Sequence, residues 1–177
     1  MTRSRLLLAA LAFLVPGAAC ADEPVDTVSV LMKMAEHNAA DPADGKYVLE
    51  EYFSANMLLR YFSKDFNTAY GEAFLRANAK RHELLIDWDP IVGGQDSCPL
   101  KDVTYGKPKE KKGKIDITVS FNSTSCYSET AEPAQVSKVT FTLVKDEMIP
   151  GSVFYLIDDV AHAGQPSLRT SLGELGQ

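Results

Sequence analysis

The spacing of apolar residues changes once along this chain, and the change divides it in two. Val28, Leu31, Met32 and Ala35 recur at steps of three and four, which predicts an amphipathic helix over 24–38. Pro24 suits its first turn, and Asp22 and Glu23 suit the positive end of its dipole. Met32 and Met34 are read as core filling rather than as a soft binding surface. Residues 38–45 are rich in turn formers and read as a loop. Tyr47 to Phe53 carries Val48, Tyr52 and Phe53 and reads as a short helix. Ser54 follows as the cap of the next one. Leu58, Leu59, Phe62, Phe66, Ala69, Tyr70, Ala73, Phe74 and Ala77 then form the longest helical stripe, with Ser63 placed to cap a second helix within it. The aromatics Tyr52, Phe53, Tyr61, Phe62, Phe66 and Tyr70 read mostly as core, with a few available to line a pocket.

Beyond residue 98 the period becomes two. Residues 101–106 hold Val103 and Tyr105 and read as a strand. Ile115, Ile117, Val119 and Phe121 alternate with polar residues, as do Val139, Phe141 and Leu143. Val153 to Val160 is a more continuously apolar strand ending in Asp158-Asp159. Lys107 to Gly113 reads as a basic, solvated turn, Ser128 to Ala134 as an acidic loop, and 146–151 as a turn. Residues 168–175 predict a last short helix. Helices that precede an uninterrupted run of strands predict an α+β fold, with N-terminal helices packed on one face of an antiparallel meander sheet.

The N-terminus alters this picture. Met1-Thr-Arg-Ser-Arg5, an apolar run from Leu6 to Val15 and Ala19-Cys20-Ala21 have the layout of a secretory signal peptide, placing the mature start at Asp22. The domain division is therefore 1–21 signal peptide and 22–177 a single domain, 156 residues long. The expected location is periplasmic or secreted. A lipoprotein anchored at Cys20 is the lesser alternative, because Gly17 stands where such sites carry leucine. Removing Arg3 and Arg5 takes the net charge from −6 to −8, which argues against nucleic acid and anionic membrane surfaces as partners. No later segment is apolar enough to span a bilayer. Cys98 and Cys126 remain after processing and predict one disulfide, contributing about 3.5 kcal/mol in the chain-entropy picture. Neither a metal nor a cofactor is expected, since two thiols without nearby histidines fall short of a structural zinc site.

Between the two halves lies Asp87-Trp88-Asp89-Pro90-Ile91-Val92-Gly93-Gly94-Gln95-Asp96-Ser97-Cys98, which holds the only tryptophan. With Leu156-Ile157-Asp158-Asp159-Val160 and Ser167-Leu168-Arg169, this segment resembles a bacterial exported family of unknown function that carries D-x-D-P…Q-D and I-D-D-I motifs. Phe154 or Tyr155 stands where that family usually has tryptophan. The resemblance covers most of the mature chain. It implies a conical fold similar to nuclear transport factor 2 and implies no activity.

Asp87, Trp88, Asp89, Gln95, Asp96 and Asp159 are the candidate ligand-binding residues. An all-oxygen set suits calcium, but the spacing is not that of the twelve-residue calcium loop. The competing reading is structural, with Asp89 and Gly93-Gly94 shaping a bend. Strand alternation predicts that one of Asp158 and Asp159 faces the cone and the other faces away. An inward carboxylate near Asp87–Asp96 would be raised in pKa and could act as a general acid or base. His37, His82 and His162 are too dispersed for a metal site, and no nucleophilic triad or phosphate loop is present. Asn122-Ser-Thr124 is a glycosylation sequon. No catalytic residue is assigned. The leading expectation is an exported, non-catalytic binding module for a small molecule, peptide or envelope protein, one version being an immunity-type inhibitor. The alternative is an isomerase- or hydrolase-like enzyme with a carboxylate in the cone.

Overall fold

A computed structural model describes residues 23–40, 48–80, 86–94, 98–124, 126, 136–149 and 152–175. The signal-peptide and lipidation readings, His82, Gln95, Asp96 and the acidic loop lie outside the described residues. Helices α1 (Pro24–Asn38), α2 (Ala55–Tyr61) and α3 (Lys64–Ala79) precede strands β1 (Lys101–Tyr105), β2 (Lys109–Lys111), β3 (Lys114–Asn122), β4 (Val136–Ile149) and β5 (Ser152–His162), and α4 (Leu168–Glu174) closes the order. The fold is α+β. The strands make one antiparallel sheet ordered β1-β3-β4-β5, with β2 also on β3. No described helix is long and apolar enough to cross a membrane.

The caps follow local chemistry. Pro24 opens α1, where its missing N–H costs nothing. Ser54 Oγ accepts from Met57 N, and Ser63 Oγ from Phe66 N, as both serines' positions predict. The predicted helix over 47–53 does not form in its described part, 48–53. There, side chains at the end of α1 take the backbone groups a helix would need. Asn38 pairs with both the N–H and the carbonyl of Glu50, and His37 Nε2 lies 3.1 Å from the Val48 carbonyl.

The core forms where the helical stripes meet one face of the sheet. Val28, Leu31, Met32 and Ala35 of α1 are buried against Ile117, Val119, Phe141, Leu143 and Ile157. Cross-strand register aligns the apolar sets, with Ile117 opposite Phe141, and Phe141 opposite Val160. Phe53 lies at the centre of the aromatic layer, in ring contact with Tyr52, Phe62, Phe66 and Tyr70, and Phe62 lies 4.6 Å from the Phe66 ring. Both methionines, Met32 and Met34, are buried in this core. The helical stripe is narrower than its spacing predicts. Leu59 is 76% exposed and Phe74 is exposed too, because the sheet covers only the Phe62–Phe66–Ala73–Ala77 side.

Two strands depart from expectation. β4 continues through 146–149, where a turn was predicted. The basic run is not all turn. Lys109 to Lys111 pairs with β3, and the reversal is confined to Lys112-Gly113, both at positive φ as a tight hairpin turn requires.

Cys98 and Cys126 form the disulfide, with their Cα atoms 5.5 Å apart. It ties the end of the Asp87–Cys98 segment to the chain just beyond β3. Thiol titration of the chain from Asp22, denatured without reductant, is expected to find no free thiol; two would refute the bond. The sequon is closed in this fold, because Asn122 is buried and its Oδ1 accepts from Thr124 N at 3.0 Å.

Candidate functional site

Asp89 is the most heavily hydrogen-bonded of the predicted site residues among the described ones, and it is used structurally. Its Oδ1 accepts from Ile91 N (2.7 Å) and Val92 N (2.8 Å), and its Oδ2 accepts from the Tyr52 hydroxyl (2.8 Å). Its own N–H donates to the Gly94 carbonyl and its carbonyl accepts from Gly93 N, both at 2.8 Å. The carboxylate thus ties a six-residue bend to the chain before α2. Asp89→Ala is expected to cost about 2 kcal/mol, since it strands two amides and a phenol. Urea unfolding checks this, and a loss under about 0.5 kcal/mol would show that water replaces the carboxylate.

The bend closes on β5. Gly93 has φ +86°, and a Cβ there would lie 2.9 Å from the His162 ring. His162 Nε2 sits 3.1 Å from the Pro90 carbonyl. Glycine is required at position 93 for conformation and for space. Trp88, half-buried, lines a hollow of about 120 Å³ with Pro90, Val160, His162, Gln165 and Pro166. Asp87 is exposed and does not line it. Among the described residues, no three His, Cys, Asp or Glu side chains converge as a metal site would need.

Simple alternation fails at Asp158-Asp159. The β4–β5 register slips between Thr142/Asp159 and Leu143/Ile157, leaving Asp158 as the extra residue of a bulge. Asp158 is only 2% exposed. Its Oδ1 accepts from Ser63 Oγ (2.7 Å), and its Oδ2 accepts from Lys114 Nζ (2.7 Å) and an Arg169 guanidinium N–H (2.8 Å). Burial alone would raise its pKa. The hydrogen bonds from Lys114 and Ser63 and the Arg169 charge outweigh burial and hold the carboxyl below the usual range. Asp158 is therefore a fixed anion, the opposite of a raised general acid. Asp159 is tied to the same helix start. Its Oδ1 accepts from Arg169 N (3.0 Å) and from Val160 N (2.9 Å), so both aspartates hold the start of α4. Neither carboxylate is brought to Asp89 by any hydrogen bond, and the space between the helices and the sheet is filled by Phe62, Phe66, Phe121, Phe141 and Ile117.

The larger opening lies elsewhere, in residues the sequence does not mark. A groove of about 380 Å³ is lined by Leu59, Phe62, Lys64, Asn67, Thr68, Asp146 and Leu156, between the α2–α3 junction and the β4–β5 ladder. The junction is held there by β-type contact, since Phe62 bridges Ile157 in parallel and Ser63 N donates to the Ile157 carbonyl at 2.8 Å. Asn67 turns its Nδ2 to the Leu58 carbonyl (3.0 Å) and the Phe62 carbonyl (3.4 Å). Its Oδ1 is buried with no partner among the described residues. Leu59 gave the one available signal, a leucine in a core stripe that the partner layer does not reach. Comparison with protein-family models, curated proteins and solved structures finds no match.

Proposed function

We propose that this chain is an exported, non-catalytic binding module whose ligand seats in the Leu59–Leu156 groove. The groove itself carries the reading. Its volume lies in the range of ligand sites, and it joins an apolar floor to a few polar groups. Leu59, Phe62 and Leu156 offer an apolar seat. Lys64, Thr68 and Asp146 add a cation, a hydroxyl and an anion to its lining. That set suits a short peptide segment with one apolar side chain, free or displayed on an envelope protein. An inhibitor of the immunity type is the version in which the segment belongs to a toxic enzyme. Export is supported by the signal-like leader and by the disulfide, a bond that persists in oxidising compartments. The Asp87–Cys98 bend serves this reading as scaffold, and the same holds for the D-x-D-P and I-D-D segments that suggest the conical family.

The test is a titration with short peptides carrying one leucine or phenylalanine, followed by amide chemical shifts. Shifts are expected at Leu59, Thr68 and Leu156, and they should vanish in Leu59→Glu. Leu59 is exposed, so that variant leaves the fold intact. Shifts centred on Trp88 and His162 instead would move the site to the smaller hollow. Turnover of a peptide would overturn the non-catalytic reading.

A further inference from the structure

The hairpin of β2 and the start of β3 stands clear of the core. Every residue from Thr104 to Lys114 is exposed. Between Lys107 and Lys114 the chain places five lysines against one acid, in a protein whose overall charge is −6. That acid, Glu110, is engaged by Lys145 at 3.4 Å, and Lys114 is engaged by Asp158. Lys107, Lys109, Lys111 and Lys112 have no acid at ion-pair distance among the described residues. Lys109 lies across from Asp116, whose Oδ1 accepts from the Thr142 hydroxyl. Lys111 lies directly across from Lys114, a like-charge pairing that costs stability. Alternation puts Lys109 and Lys111 on one face, about 7 Å apart.

We propose that the Lys107–Lys114 ribbon docks on an anionic phospholipid surface. Three features select this partner. The ribbon's cations are all lysine, compact charges suited to a field of phosphates; arginine's fork is absent, and with it bidentate reading of carboxylates or bases. Both ribbon faces are solvated, so several ammonium groups can meet a flat surface together. The ribbon's one acid, Glu110, is engaged by Lys145, Asp116 opposite Lys109 is held by Thr142, and at physiological salt charges more than about 8 Å away are largely screened. Net charge opposes such docking only when it is averaged over the whole molecule. The ribbon is separate from the groove, and either can fail without the other.

Edge lysines also discourage sheet-to-sheet pairing, and charge reversal separates the two roles, because glutamate protects an edge as well as lysine does. The chain from Asp22 to Gln177, which contains the whole described fold, is sedimented with vesicles. One set mixes phosphatidylglycerol with phosphatidylcholine, and the other is phosphatidylcholine alone. The protein is expected on the anionic set only, with binding that falls steeply as salt rises. The variant K107E/K109E/K111E/K112E should keep the parent melting curve and bind at least about tenfold more weakly. If that variant melts early, the matching lysine-to-glutamine variant gives the same reading. No binding to anionic vesicles, equal binding by parent and variant, or preference for a duplex DNA competitor over the vesicles would each overturn the proposal.

Discussion

Replacing Asp158 with alanine is expected to remove about 3 kcal/mol of stability at neutral pH. The carboxylate is 3% exposed at its side chain, while its partners are less sheltered, Lys114 at 50% and Arg169 at 31%. Those cations can recover water, so the loss stays at the low end for a broken buried pair. Ser63 cannot recover so easily, being buried with its hydroxyl aimed at Oδ1. The pH dependence has a definite sign. Since the folded-state pKa is depressed, the unfolded chain binds the proton first on acidification. The contribution is complete above the ordinary carboxylate range, near pH 4, and drains away as pH falls through the depressed value. Asp158→Asn should therefore flatten the acid limb of the stability profile below about pH 4. An acid limb as steep as the parent's would show that another group carries it.

Phe62→Ala is expected to cost about 4 kcal/mol. The ring is 2% exposed and packs on Phe66 and Phe53, and its backbone bridges β5 at Ile157. Its removal leaves a void between helix layer and sheet that rigid aromatic neighbours cannot fill. In urea, the midpoint should fall with the slope unchanged, and the melting temperature should drop by about 10 °C. Phe62→Leu, which keeps most of the volume, should recover more than half of the loss. A fall below about 1 kcal/mol for alanine would mean that the layers close over the gap. Phe62 also floors the groove, so both variants bear on the peptide titration.

Most of the framework was legible because its causes are local. Pro24 and the serines at 54 and 63 declare helix starts, and the alternation about Ile117 and Phe141 declares two half-buried strands. The disulfide followed from two cysteines in a chain with a signal-like leader. What escaped was decided by partners distant in sequence. The apolar spacing of Tyr47–Phe53 is helical, yet Asn38 captures Glu50 from the preceding helix. The joint hold of Asp158 and Asp159 on α4 was not legible, because a bulge has no signature in a strand this apolar. Their shared partner, Arg169, lies beyond a turn. Asp89 could be read as turn former or ligand, and only the Tyr52 hydroxyl and two amides around it decide for the turn. The groove was invisible for a related reason. Leu59 belongs to a stripe of core residues, and composition cannot reveal that the sheet ends before reaching it.

The first helix leans on the last strand. Thr27 of α1 donates its hydroxyl to the Tyr155 carbonyl at 2.8 Å, a contact spanning 128 residues. Closure over such a separation costs chain entropy that the neighbouring strand pairs do not have to meet. The α1–β5 contact cannot form while residues 152–162 are still tethered to a ribosome or threaded through a translocation pore. A chain emerging N-terminus first would hold α1 with its apolar stripe uncovered until nearly the whole sequence is free. Any machinery that handles only unfolded chains would find the α1–β5 closure still unmade until synthesis is nearly complete.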